Sequence, residues 1–179
     1  MIVEIPQLVA ATESLVALAD EFIAFADDII EEQEQLLDPD LLRRDPRAYL
    51  RMLNEWSQGI GLPNGWVPAA QYWYIAGGVT AIGFSSLRYL LTPALEDYGG
   101  HISYVIRPQY RRQGHGTRLL CLTLRKAQDR GLDRVLLTTD IGNMASRRVI
   151  EDNGGALLEE YLSIATGTMR ARYSIDLTA

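Results

Sequence analysis

The stretch that most constrains this chain is GGHISYVIRPQYRRQGHGTRLLCLTLRKAQDRG, residues 99–131. A β-branched, aromatic run is stopped by Pro108. Two glycines one residue apart follow, and then a pattern of apolar residues at helical spacing that Gly131 ends. A strand, a glycine connection and a helix in that order leave two readings open. Either the connection is simply tight, or its backbone is bared to something that must approach closely.

The physics of the second reading is specific. Gly114 and Gly116 leave no Cβ in the way and can take backbone angles closed to other residues, so several N–H groups can turn towards one point. The helix that begins there adds its own unpaired N–H groups and the positive end of its dipole. Together they form a seat for a phosphate, beside which Arg111, Arg112 and Arg118 could pair with further oxygens. The Gly-Lys-Ser/Thr ending of a nucleoside-triphosphate loop is missing, as are the third glycine and downstream acid of a dinucleotide fold, which sets ATP and NAD aside. A G-x-G alone is also compatible with a small ligand-binding α/β domain whose glycine turn is purely structural.

With 179 residues and 47% hydrophobic content, the chain can bury one good core, so a single domain over residues 1–179 is expected. A net charge of -6 argues against a nucleic-acid partner that needs a broad positive field. Glu4 stands where a secretory signal would be positive, and acidic residues interrupt the later apolar runs, so neither export nor a membrane partner is expected. Cys121 is the single cysteine, which excludes an intramolecular disulfide and a cysteine-built metal site and suits a reducing, cytoplasmic setting.

Along the chain, residues 2–5 suggest a short strand. A long amphipathic helix runs through Leu15, Leu18, Phe22, Ile23, Ala26 and Ile29, with Glu13, Asp20, Glu21, Asp27 and Asp28 on its other face. That face is either solvated or an acidic wall for a cationic substrate. DPDLLRRDP, residues 38–46, reads as a turn-rich connection, AYLRMLNEW as a second helix, and GIGLPNGWVP as a loop. AQYWYIA and VTAIGFSSLRYLL form a hairpin about Gly77-Gly78, and TPALEDYGG connects it to the HISYVI strand. After the 114–130 helix come the RVLLTTD strand, a helix entered through Asn143 and left through Asn153-Gly154-Gly155, and two strands joined at Gly167. The sum is an α+β sandwich: a mixed, mostly antiparallel sheet of about seven strands with helices on both faces.

Arg111-x-x-Gly114-x-Gly116 after a strand with a proline two residues beyond Ile106, then helix, strand and an Asn143-led helix closed by Asn153-Gly154, resembles the GNAT superfamily of N-acetyltransferases. The likeness is strongest from Gly99 to Leu158. Over the whole chain, including WVP before the hairpin and RYSIDL at the end, it is similar to a bacterial branch of predicted GNAT acetyltransferases.

The resemblance implies acetyl-CoA as cosubstrate, with the backbone of Arg111, Arg112, Gln113, Gly114, His115, Gly116 and Thr117 on its pyrophosphate. It implies a pantetheine arm in the opening between the strand ending at Ile106 and the 134–140 strand, the Ile106 N–H facing the thioester carbonyl, and Asn143 touching the pantetheine. Asn143 also suits a helix N-cap, and Arg147 and Arg148 a solvated helix face.

Acyl transfer to an amine needs a base, donors for the developing oxyanion and an acid for the departing thiolate. The family's usual acid is a tyrosine seven residues beyond the asparagine, and here that position is Ile150. Tyr104 and Tyr161 are the substitute candidates, although either could be a packed sheet tyrosine. His101 is the candidate base by its ordinary pKa near 6.5, but strand alternation turns it away from Ile102, Tyr104 and Ile106 unless a bulge intervenes. Glu96 and Asp97 could act through water instead, and His115 belongs to the surface or the phosphates.

The expected activity is acetyl transfer to a primary amine of a small molecule or peptide by direct attack in a ternary complex, since Cys121 sits in a helix with no reason to carry an acyl group. The alternative is an acyl-CoA-binding regulatory or interaction module with little turnover. The loops at 31–68 and 90–100 that would shape the acceptor pocket carry no readable motif, and an apolar strand edge near the C-terminus could support a homodimer.

Overall fold

A computed structural model describes residues 5–30 and 38–178. Its elements are β1 (Gln7–Ala10), α1 (Ala19–Ile30), α2 (Pro39–Arg44), α3 (Pro46–Ser57), β2 (Ala69–Ala76), β3 (Thr80–Arg88), α4 (Pro93–Asp97), β4 (Ile102–Ile106), α5 (His115–Asp129), β5 (Arg134–Asp140), α6 (Met144–Glu151), β6 (Ala156–Leu162) and β7 (Met169–Asp176). The strand expected at residues 2–5 falls mostly outside the described residues, and the first described strand lies just beyond it. The EEQEQ run also lies outside them.

DPDLLRRDP is not a connection but a helix set between two identical start signals. Asp38 caps α2 by accepting from Leu41 N (2.9 Å) and Asp45 caps α3 by accepting from Ala48 N (2.9 Å), each followed by a proline in the first turn. Aspartate before proline satisfies one orphan N–H and puts the residue without an N–H where none is needed. The 90–100 connection likewise contains α4, capped by Thr92 and opened by Pro93.

The strands form two antiparallel sheets, of order β1-β2-β3-β4 and β5-β7-β6. Among the described residues their one bridge joins Gly100 to Leu137. One face of the larger sheet is covered by α1 and α3, where Trp73 stacks on Phe22 (3.9 Å between ring centroids) and meets Phe25 and Phe84 edge-on. On the opposite face α5 buries Leu120 and Leu124, which join Val135, Leu137 and Tyr173 from the smaller sheet in a core that spans both, and Leu119, which packs with Tyr74, Ile82 and Ile106 of the larger sheet. These interdigitated apolar layers hold the two sheets in register past the point where their strands separate.

The acidic face of α1 is largely neutralised from within. Arg107, 9% exposed, donates to Glu21 (2.6 Å) and Asp28, while Asp27 is paired with Arg43, and Glu13, in the 3-10 turn that precedes α1, is paired with Arg51. A face tied down in this way positions α1 on the sheet and offers little free negative charge to a substrate.

Candidate active site

The opening between the sheets follows from the hydrogen-bond register of β4. Arg107 N donates to Ile82 O (2.9 Å) and Arg88 N to His101 O (2.7 Å), with Ile106 opposite Gly83 and Ile102 opposite Leu87. In an antiparallel ladder this makes Ile102, Tyr104 and Ile106 the members that do not bond to β3, so their N–H and C=O groups point to the far edge, towards β5. Arg111 Nε donates to Ile106 O (2.8 Å) on that edge, anchoring the following loop to it.

The loop then turns through two left-handed residues, Arg112 (φ 60) and the α5 N-cap Gly114 (φ 81). Left-handed backbone at a non-glycine residue costs about 1–3 kcal/mol and persists where the surroundings require it. Here it curls the chain so that, among the described residues, no hydrogen-bond partner meets the N–H groups of residues 112 to 117. The first helical bond is Arg118 N to Gly114 O (3.1 Å). No acidic side chain stands in the first turn of α5. A run of outward N–H groups at the positive end of a helix is an anion nest, and the space a Cβ at Gly114 would enter is open.

Gly116 has a different reason to be small. A Cβ there would lie 3.2 Å from Val149 Cγ2, so its absence lets α6 close on α5. Gln113 donates to Gln109 O (3.0 Å), Thr117 O accepts from Asn153 Nδ2 (3.1 Å), and His115 sits edge-on between Tyr74 and Tyr110. Burial, aided by the nearby Arg118 charge, holds the His115 pKa below its ordinary value.

A cavity of about 670 Å³ starts in the gap between β4 and β5 and continues around the edge of β4 to a wall made by Trp56, Trp66 and Tyr98. Tyr104, Asn143 and Ser146 line its α6 side. Tyr104 stands 3.0 Å from Ser146 Oγ, and burial pushes its phenol up to about 12, so at neutral pH it is a hydrogen-bond donor. Asn143 accepts from Ser146 N (3.0 Å), so the N-cap expected of it is formed, and it lines the cavity as well. Ile150, at the position of the family's tyrosine, is a buried core residue on the inner face of α6.

His101 and Tyr161 are not in the cavity wall. His101 Nδ1 accepts from Leu136 N (2.9 Å) while the His101 backbone N–H donates to Leu136 O (2.7 Å), so the residue joins the sheets at their bridge, and burial lowers its pKa. Tyr161 donates to Asp97 O (2.5 Å) beneath the Arg172 guanidinium. Asp97 itself accepts from Ala165 N and Ser163 Oγ, bonds that hold its carboxyl below the usual range. Both residues brace the walls from behind. Arg147 is no free surface charge either: it donates to Tyr173 Oη (2.9 Å) and pairs with Glu160.

Sequence reasoning did not single out Gln71, Ser86, Arg88, Asp140 and Arg170, all of which line the cavity. A signal was present for Gln71, a lone amide in the middle of the apolar run AAQYWYIA. Its meaning depends on which strands lie beside it.

The sequence profile of the acetyltransferase (GNAT) family matches residues 30–154, more than half of the chain. The chain therefore belongs to this family and is an acetyl-CoA-dependent acetyltransferase. Among solved structures it is similar to RimL, the ribosomal L7/L12 alpha-N-protein acetyltransferase in complex with coenzyme A, with 18% identity over 96% of this chain and 94% of that one and a TM-score of 0.70. An acetyltransferase from Salmonella typhimurium that modifies the N-terminal serine of L7/L12 gives 17% identity, 97% and 95% coverage and a TM-score of 0.69. The ribosomal-protein-S5-alanine acetyltransferase from Vibrio fischeri gives 16%, 97%, 93% and 0.69. At these identities the likeness establishes the fold, with seven strands among the described residues in the GNAT arrangement. No curated protein sequence matches the chain.

Proposed function

We propose that this chain transfers an acetyl group from acetyl-CoA to a primary amine, on a small molecule or at a peptide end, by direct attack of the amine in a ternary complex. The observation that carries the reading is the run of N–H groups at residues 112 to 117 that meet no hydrogen-bond partner among the described residues, at the mouth of α5 beside the free edge of β4. These groups, with Arg112 at the rim, suit a diphosphate. The gap between β4 and β5, with Asn143 at its side, suits the extended arm of the same molecule.

Acetyl-CoA supplies the activated acyl group. The Ile106 N–H, aimed at the gap, is placed to donate to an oxygen that gains negative charge, a contribution that preorganised backbone donors make without reorganisation. Tyr104 is the proposed acid: it lies in the gap, is protonated at neutral pH and is held by Ser146. With Ile150 buried and apolar, the phenol comes from β4 instead of α6. The amine loses its proton to solvent in the cavity, and His101 acts as a positioning residue that fixes the β4–β5 joint. Cys121, half-buried on α5 and outside the cavity wall, has no route to the acyl group, which favours direct attack. Both a peptide end, as in RimL, and a small amine remain within this reading, and a cytoplasmic setting agrees with the lone thiol.

The test is calorimetric titration with acetyl-CoA, followed by measurement of free CoA release with a panel of amines and N-terminal peptides. Saturable binding with amine-dependent release is expected. Absence of acetyl-CoA binding overturns the assignment of the 112–117 loop, and binding without release on any amine overturns the transfer step.

A further inference from the structure

The floor of the cavity on the α3 side contains a polar row in a sheet face that is otherwise apolar. Gln71 on β2 faces Ser86 on β3, and Ser86 faces Ser103 on β4, so the three form one cross-strand rung. The next rung towards α1 is Trp73–Phe84–Val105, wholly apolar and covered by helices. The rung on the other side places Ala69 opposite Arg88.

None of the polar row is used internally. Gln71 is 4% exposed, yet its Oε1 is buried without a partner, and neither serine hydroxyl is hydrogen-bonded among the described residues. Buried amide oxygens are almost always paired in a folded protein, so an orphan on a residue that lines a cavity marks a place for a ligand N–H.

Arg88 adds charge. Its Nη1 donates to Gly100 O (3.1 Å), and among the described residues no carboxylate pairs with it. Arg170, the other arginine in the wall, is neutralised by Asp140 (2.7 Å) and stacked on Tyr98. The half-buried Arg88 guanidinium is thus the uncompensated cation of this cavity, and burial already lowers its pKa, the expected cost of a cation lacking a partner. From Ile106 to the position beside Arg88 is five residues along β4, about 16 Å at the usual strand rise.

We propose that the acceptor is a peptide N-terminus whose main chain lies along Gln71, Ser86 and Ser103 and whose carboxylate, three or four residues in, is held by Arg88. An extended peptide spans about 3.5 Å per residue, so three or four residues cover most of that distance and the reach of the Arg88 side chain covers the rest. The inference rests on the acetyl-transfer reading for where the amine must lie. The carboxylate can belong to an acidic side chain or to the C-terminus of a short peptide.

Four tetrapeptides distinguish the sources: Ala-Gly-Gly-Glu amide against Ala-Gly-Gly-Gln amide, and Ala-Gly-Gly-Gly as free acid against its amide. Each is measured by CoA release and by calorimetric binding to the CoA-loaded protein. The carboxylate-bearing member of at least one pair is expected to bind and react about tenfold better, the value of one charge-assisted contact. Which pair shows the difference identifies the source. Arg88→Gln should abolish that discrimination and Arg88→Lys retain part of it, with acetyl-CoA affinity unchanged as the check on folding. Gln71→Leu should weaken all four peptides alike. Equal behaviour within both pairs, discrimination that survives Arg88→Gln, or no peptide binding at all overturns the proposal. Binding that discriminates by charge without CoA release supports the Arg88 subsite and counts against the transfer step alone.

Discussion

The two ends of the cavity are built from different parts of the chain. At the α5 end the recognition surface is main chain: left-handed Arg112 and Gly114, then the N–H groups that open the helix. At the α3 end it is side chain: Gln71, Ser86, Arg88 and the Trp56–Trp66 pair, whose rings lie 5.3 Å apart. Backbone donors have fixed chemistry whatever the side chains are, so they suit a ligand shared by a whole family. Side chains on a rigid sheet can be exchanged without disturbing the fold, so they suit a ligand that differs from member to member.

Tyr104→Phe tests the point where the ends meet and should have the largest effect. Loss of a general acid lowers rate by about 100-fold or more, while acetyl-CoA affinity by calorimetry stays near that of the wild type. A variant with normal kcat would return proton delivery to solvent.

Gly114→Val tests the main-chain end. A β-branched residue resists the left-handed angle by about 1–2 kcal/mol, so the loop should relax and acetyl-CoA affinity fall about tenfold or more. Gln113→Ala, which removes only a side chain bonded to Gln109 O, should leave affinity nearly intact. Equal losses in the two variants would contradict a backbone-built site.

Asn143→Ala separates two roles with two measurements. Losing the N-cap bond to Ser146 N should cost about 1 kcal/mol in urea unfolding. If Asn143 also touches the pantetheine, acetyl-CoA affinity falls as well, and a stability loss alone confines the residue to capping.

The same contrast explains what could be read from the sequence. Pro108, Gly114, Gly131 and Asn143 act on their own neighbours, so the strand, loop and helices around them follow from local chemistry. The Gln71–Ser86–Ser103 rung exists only after three strands pair in register, and no local pattern predicts that. The division into two sheets depends on the β4–β5 joint at Gly100, where an added Cβ would lie 2.4 Å from Leu136 O. Asp38-Pro39 and Asp45-Pro46 failed for another reason: aspartate and proline mark both turns and helix starts, and tertiary burial of Leu42 decided between them.

The smallest effect concerns the joint that holds the two ends together. Burial disfavours the charged form of the His101 ring, whose Nδ1 accepts from Leu136 N, so folding favours the neutral ring and its native pKa lies below that of the unfolded chain. Between those two values the unfolded state binds more protons, so stability rises with pH. The His101 contribution is therefore fully present above about 6.5, the unfolded value, and is lost as pH falls through the native pKa. His115 is shifted in the same direction and adds to the same window. Urea midpoints measured across that range should fall with acidity in the wild type, and less steeply in His101→Gln and in His115→Gln. If His101→Gln leaves the slope intact, the imidazole is not what secures Leu136. The gap between β4 and β5 would then be set by Gly100 and the flanking apolar contacts alone.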